Sequence, residues 1–377
     1  MTGPGRSRAR AGSAGPSPPA ERVSTLELFF DLVFAFTLTQ LSGVLALRFD
    51  ALGVVQVLLI FGVLWWMYGG YAWLTNTRAP GQVPERLLLL TAMAGFLVVA
   101  LAVPGAFGPD GLTLGLGYLV VVLVHGSMYY RVNRNIGRVA PFNVASALLV
   151  VGASFTGGPA RYALWAAALA VQVLSPLVVH PRGLFEIQPA HFVERHGALI
   201  IITFGEAVVA VGIGLAGLRL TAGLAAAALL GLALSAVLWW TYFGTGDDEA
   251  AQRSMRAAPP AERPVMALNG YFYAHIPMLL GVISLAAGLR YGVGHALHAA
   301  PPSRVFALSA GPALFLAGDV LFRRSLRIGP SRLRAAGAAA ALATAAVGIA
   351  TAAEVQLAVL VVVLALMLIA EQRQWRA

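Results

Sequence analysis

The sequence predicts an all-α integral membrane protein of about twelve transmembrane helices, arranged as two parallel six-helix repeats. Three observations predict it. Hydrophobic residues make up 59% of the chain and charged residues 11%, where a water-facing domain averages about 25% charged. Apolar runs of near-bilayer length follow one another along the chain. Arginines gather in every second connection between those runs.

Residues 1–22 are mostly Gly, Pro, Ser, Ala and Arg. They cannot bury enough apolar surface to fold and read as a disordered cytoplasmic tail. They lack the apolar core of a signal peptide. A spanning helix needs about 20 mostly apolar residues. Such runs fall at 25–47, 51–75, 84–104, 112–131, 139–155 and 160–179, which make up a first repeat over 23–190. They recur at 195–217, 222–243, 264–289, 305–322, 335–353 and 355–371, in a second repeat over 191–377.

The chain carries 26 basic residues, all of them Arg, and a net charge of +10. With the N-terminus inside and alternating spans, Arg48, Arg161, Arg219, Arg290 and Arg304 fall outside and the other 21 inside. That is the asymmetry of the positive-inside rule, with both termini in the cytoplasm of a bacterial cell (inner) membrane. The arginines form no continuous basic domain, so nucleic acid is not an expected partner; lipid is. There is no cysteine, which excludes disulfides, iron–sulfur clusters and thiolate-bound zinc.

The halves echo each other in order. Val63-Leu64-Trp65-Trp66-Met67-Tyr68 matches Val237-Leu238-Trp239-Trp240-Thr241-Tyr242, and Phe29-Phe30-Asp31 matches Phe204-Gly205-Glu206, 175 residues on. Glu85-Arg86 and Glu262-Arg263 precede the third and ninth spans. Six is an even number, so both repeats share one orientation.

Charge within hydrocarbon costs several kcal/mol and marks candidate sites. Glu27 and Asp31 share a face of the first span, four residues apart. Glu27 lies near the headgroups; Asp31 lies about 6 Å deeper. Glu206 is twelve residues beyond Glu194, roughly 18 Å along its helix and near the bilayer centre. As repeat partners, Asp31 and Glu206 are expected to converge on a central axis. They either line a pathway or tie helices through an Arg or a backbone donor.

His275 sits near mid-membrane, before Pro277. It is a candidate proton relay or a hydrogen-bonded helix contact. Pro277 frees the Tyr273 carbonyl. His125 is a further buried candidate, and Asp319, four residues before Arg323, suggests an in-helix ion pair. The stretch His191-Phe192-Val193-Glu194-Arg195-His196 has neither zincin spacing. It reads as an interfacial polar turn, with Glu194, Arg195 and His196 as secondary candidates and no metal expected. No phosphate loop, dinucleotide fingerprint or nucleophile elbow stands in a suitable setting, so neither a cofactor nor an enzyme activity is expected.

Glu27-Leu28-Phe29-Phe30-Asp31-Leu32-Val33-Phe34, continuing to Thr39-Gln40-Leu41, resembles the first-helix signature of the bacterial low temperature requirement protein A (LtrA) family. Glu194-Arg195-His196-Gly197 through Thr203-Phe204-Gly205-Glu206-Ala207 resembles its second block, and Tyr273-Ala274-His275-Ile276-Pro277 its third. The resemblance implies a multi-pass membrane protein linked by name to growth in the cold, with no established substrate. Phe29-Phe30-Asp31 and Phe204-Gly205-Glu206 are also similar to the Phe-Ser-Asp motif of a family of lysosomal and bacterial potassium and proton channels. Phe30 and Gly205 depart from its Ser, and Glu206 from its Asp.

Two functions follow as expectations. One is a transporter or channel for protons, monovalent cations or a small solute, with Asp31, Glu206, His275 and Glu27 on the pathway. The other is a non-transporting membrane protein supporting growth at low temperature, with structural acids.

Overall fold

The computed structural model describes residues 22–78, 80–132, 134–179, 187–295 and 298–376. The tail over 1–21 and the loop with Arg182 lie outside the described residues. Every described element is helical. In the first half these are α1 (Thr25–Leu47), α2 (Ala51–Thr77), α3 (Val83–Ala102), α4 (Gly111–Val132), α5 (Ala140–Ala153) and α6 (Gly158–Val179). The second half holds α7 (Pro189–Leu215), α8 (Ala222–Phe243), a short α9 (Asp247–Ala257), α10 (Arg263–Ala267), α11 (His275–Gly292), α12 (Pro302–Leu326), α13 (Arg332–Ala350) and α14 (Ala353–Arg376). A π-helical turn, Leu268–Tyr273, joins α10 to α11.

Ten helical stretches among the described residues are long and apolar enough to cross a membrane; α5, with 14 residues, is shorter. Their outer faces carry large apolar side chains such as Leu47, Leu97, Val209, Leu229 and Leu366, all exposed. A surface of that kind suits lipid.

The caps are local. Ser24 accepts from the Glu27 amide while the Glu27 carboxylate accepts from the Ser24 amide, which closes the first turn of α1. Asp50 caps α2 by accepting from Gly53 at 2.7 Å. The acids Asp247, Asp248 and Glu249 open α9 and Arg256 closes it, in the sense that the helix dipole favours.

Packing repeats between the halves. In the first, α1 packs on α2 and α3, α3 on α4, α4 on α5, α5 on α6, and α2 on α4 and α6. In the second, α7 packs on α8 and α11, α11 on α12, α12 on α13, α13 on α14, and α8 on α12 and α14. The halves meet where α1 touches α7 and α11, and where α2 touches α7.

Small residues let α11 and α12 approach backbone to backbone. A Cβ on Gly281 would stand 2.6 Å from the Gly311 carbonyl oxygen, and one on Gly318 would stand 2.7 Å from that of Ala274. The aromatic core lies at the junction of the halves. Trp65 stacks on Tyr68 and on Phe272 and donates from Nε1 to the Phe272 carbonyl. The chain irregularity expected from Pro277 is thus a π turn just before it. The carbonyls put to use are those of Phe272 and Gly270.

Candidate functional site

α7 begins at Pro189, six residues before the span that the sequence suggests. His191, Arg195 and His196 therefore lie inside a helix, buried, and not in an interfacial turn. The apolar run starts only at Gly197, which is why a hydropathy window places the boundary late.

Arg195 is the centre of a first buried layer. It donates from Nη2 and Nε to Asp31 Oδ1 at 3.0 and 3.3 Å, and from Nη1 to Glu27 Oε1 at 3.3 Å. Nη1 also donates to Thr75 Oγ1 of α2. The guanidinium lies 5.7 Å from the ring centres of both Phe30 and Tyr68, within cation–π range. Glu27 and Asp31 are wholly enclosed, and Arg195 is 1% exposed. Both acids are tied to a cation and none of the layer faces solvent. Each half contributes: α1 and α2 from the first, α7 from the second.

Glu206 forms a second layer. It accepts from Ser42 Oγ at 2.5 Å and from Arg290 Nη2 at 2.8 Å. The same Arg290 nitrogen also donates to Ser42 Oγ and to the Thr39 carbonyl. Arg290, assigned to an outside loop by its position after an apolar run, belongs to the last turn of α11. This layer also joins the halves, through α1 on one side and α7 and α11 on the other.

Asp31 and Glu206 do not converge. Asp31 faces Arg195 and Ser42 faces Glu206, each across a separation of 164 residues, and Glu27 faces His191 at the same separation. A constant separation means that α1 and α7 run parallel and in register. The motif match at 175 residues is eleven residues out of that register, roughly 16 Å along the helices. That distance is also the spacing of the two layers. Glu206 is two thirds of the way along α7 and not at its centre.

The remaining candidates lie elsewhere. His275 donates from Nδ1 to the Gly270 carbonyl at 3.0 Å, and its Nε2 accepts from the Tyr242 hydroxyl at 3.2 Å. Its ring packs against His196, Tyr271 and Phe322. Both nitrogens are satisfied in the neutral form, and neither reaches a carboxylate. His196 donates from Nδ1 to the Phe192 carbonyl at 2.8 Å. His125 is buried against Tyr71 and Tyr129, with Nε2 beside Gly70. Glu194 is exposed and accepts from the Val23 amide at 3.3 Å.

The Asp319–Arg323 pair does not form. Asp319 instead accepts from Arg334 of α13 at 2.6 Å, while Arg323 donates to Asp247 of α9 at 2.7 Å and lies 3.3 Å from Glu371 of α14. Arg334 also donates to Asp247 at 2.9 Å and to Glu371 at 3.1 Å. This buried network ties four helices of the second half, and three of its five members are invisible to a search for local spacings.

Of two clefts, one is lined by Leu74, Arg78, Glu85 and Arg131 and the other by Leu230, Glu354 and Val359. Neither is lined by Asp31 or Glu206. Among the described residues no three His, Asp or Glu side chains converge as metal ligands.

The model of the bacterial low temperature requirement A protein (LtrA) matches residues 22–369. The uncharacterized protein RA0937 of Rhizobium meliloti (strain 1021) is 30% identical over 320 residues, which cover 80% of this chain and 77% of that protein. No solved structure matches.

Proposed function

The chain belongs to the bacterial low temperature requirement A family, and from the geometry of its buried charges we propose that it moves a proton, a monovalent cation or a small solute across the bacterial inner membrane. Twelve spans in two parallel six-helix repeats would carry this out, with both termini in the cytoplasm. The repeated set of helix neighbours and the uneven distribution of arginine support that arrangement.

One observation carries the proposal. Two layers of buried charge, about 16 Å apart along α1 and α7, are each assembled from side chains of both halves. Transporters built from repeats place their binding groups at the repeat interface, and intramembrane charge serves function by default. Rocking of one half against the other opens one layer while the second holds. Each acid already has a guanidinium, so a cation takes its place only when Arg195 or Arg290 swings away.

A second reading, a non-transporting protein that supports growth at low temperature, has one observation in its favour. Asp31 and Glu206 each sit against a guanidinium, as structural ties would.

Ion flux in proteoliposomes separates the two. A pH-sensitive dye and imposed potassium or sodium gradients are applied to wild type, Asp31→Asn and Glu206→Gln. Flux in wild type that folded variants lose supports a pathway through both layers. Flux no greater than that of empty liposomes under every gradient overturns the ion pathway and favours the structural reading.

A further inference from the structure

His191 lies one turn before Arg195 on α7 and is 3% exposed. Its Nε2 stands 3.1 Å from Glu27 Oε1 and 3.3 Å from Oε2. Its Nδ1 stands 3.3 Å from Asn76 Nδ2, on α2. An amide can present either end to a ring nitrogen, but here the end is settled by the backbone. The Gln188 amide donates to Asn76 Oδ1 at 3.0 Å, and the Gln188 carbonyl accepts from Asn76 Nδ2 at 3.0 Å. A backbone N–H meets only the carbonyl end of the amide. Asn76 therefore turns its NH2 group to His191.

The tautomer follows. Nδ1 faces a donor, so it presents its lone pair. The ring proton is on Nε2 and is donated to Glu27. His191 is neutral in this arrangement. The charged groups around it are Glu27 from α1 and Arg195 from α7, with the His196 ring also on α7; α2 contributes only the uncharged Asn76. Two carboxylates, Glu27 and Asp31, then face one guanidinium. With both acids ionised, the enclosed layer holds one negative charge in excess.

A single proton on His191 Nδ1 removes that excess. It also sets an N–H against the NH2 of Asn76, where no hydrogen bond is possible. Asn76 must then leave both His191 and its paired contact with Gln188. Asn76 belongs to α2 of the first half, while Gln188 caps α7 and His191 lies within it.

The geometry points to His191 Nδ1 as a proton-binding site whose occupation parts α2 from the start of α7. The species handled at this layer is then the proton, an identification that rests on the transport reading above. Asn76 is the positioning residue that converts proton arrival into movement between the halves. The step is a plain protonation: the proton adds to the Nδ1 lone pair, and Nε2–H stays with Glu27.

Solid-state NMR of protein labelled with 15N-histidine in lipid bilayers tests the site, since the chain has seven histidines and His191→Gln assigns the signal. The wild-type ring is expected with Nε2 protonated and Nδ1 bare before acidification, and with both protonated after it. Asn76→Asp replaces the facing donor with an acceptor carboxylate and is expected to protonate both nitrogens before acidification. The other histidine signals, unchanged, show that the variant is folded. A wild-type ring protonated on Nδ1 alone overturns the site, and so does an Asn76→Asp signal identical to wild type.

Proton flux is the second arm. Wild-type flux that His191→Gln brings down to that of empty liposomes supports the assignment. Wild-type flux that His191→Gln leaves unchanged overturns it. The expected ring signals without flux in any preparation support the proton site and overturn the transport reading instead.

Discussion

Arg195 follows Asp31 by 164 residues and donates to one of its carboxylate oxygens from two nitrogens, at 3.0 and 3.3 Å. Glu206 follows Ser42 by the same interval. The first helices of the two halves are thus laid side by side without slip, and facing positions carry complementary groups. The pairing has consequences for stability as well as for any pathway.

Arg195→Met leaves Glu27 and Asp31 enclosed without their cation. Breaking a buried pair from one side costs about 3–5 kcal/mol, so this variant is expected to unfold at much lower denaturant than wild type. Asp31→Leu combined with Arg195→Met removes both charges of the pair and is expected to recover part of the loss. Unfolding curves in detergent micelles measure both. Equal stability of Arg195→Met and wild type would show that the pair contributes nothing.

The network of the second half makes a choice between partners measurable. A double-mutant cycle between Asp319→Asn and Arg334→Met is expected to give a coupling of about 1–3 kcal/mol. The cycle with Arg323→Met is expected to be weaker, since Arg323 bonds Asp247 and Glu371, which connect to Asp319 through Arg334. The opposite order would restore the in-helix pair.

Two glycines inside helices should respond in opposite ways. Gly281→Val drives a side chain into the Gly311 carbonyl and the Phe315 backbone and is expected to cost about 3 kcal/mol or more. Gly205→Ala, one residue before Glu206, meets nothing within 4 Å and is expected to leave the fold intact. The folded fraction after size-exclusion chromatography reads both.

Asp50 gives a dependence on pH at the exposed start of α2. The Gly53 amide and the neighbouring Arg48 hold its carboxyl below the usual carboxylate range. A lowered value in the folded state means that the cap is fully present above the ordinary carboxylate range and is lost as pH falls through the lowered value. Hydrogen exchange at Gly53, corrected for intrinsic rates, is expected to quicken in acid and not near neutrality. Asp50→Asn keeps a capping oxygen and is expected to abolish that response.

The spans were legible because lipid imposes a local requirement: each apolar run must be long enough by itself. The acids were legible because a carboxylate in such a run is conspicuous. Their partners were not, because Arg195, Arg290 and Arg334 flank the apolar runs, where a charge reads as part of a loop. The i, i+4 spacing of Asp319 and Arg323 suggested a pair that the fold does not use, since Arg334 of a neighbouring helix approaches more closely. Matching Phe29-Phe30-Asp31 to Phe204-Gly205-Glu206 aligned two similar motifs, while the helices themselves align on their starting residues. His191 and Asn76 carried no signal, because the role of each depends on a backbone contact to Gln188 that no local pattern encodes.

The interval of 164 residues between Asp31 and Arg195 is also a delay in synthesis. At roughly 5–20 residues per second, α1 is made on the order of 8–33 s before the side chain that neutralises it. During that interval Glu27 and Asp31 lack the guanidinium that receives them in the fold. The hydrocarbon phase is a poor place for such a helix to wait. Its final seating therefore belongs to a late stage of biogenesis, after α7 leaves the ribosome, well after α1 itself is made.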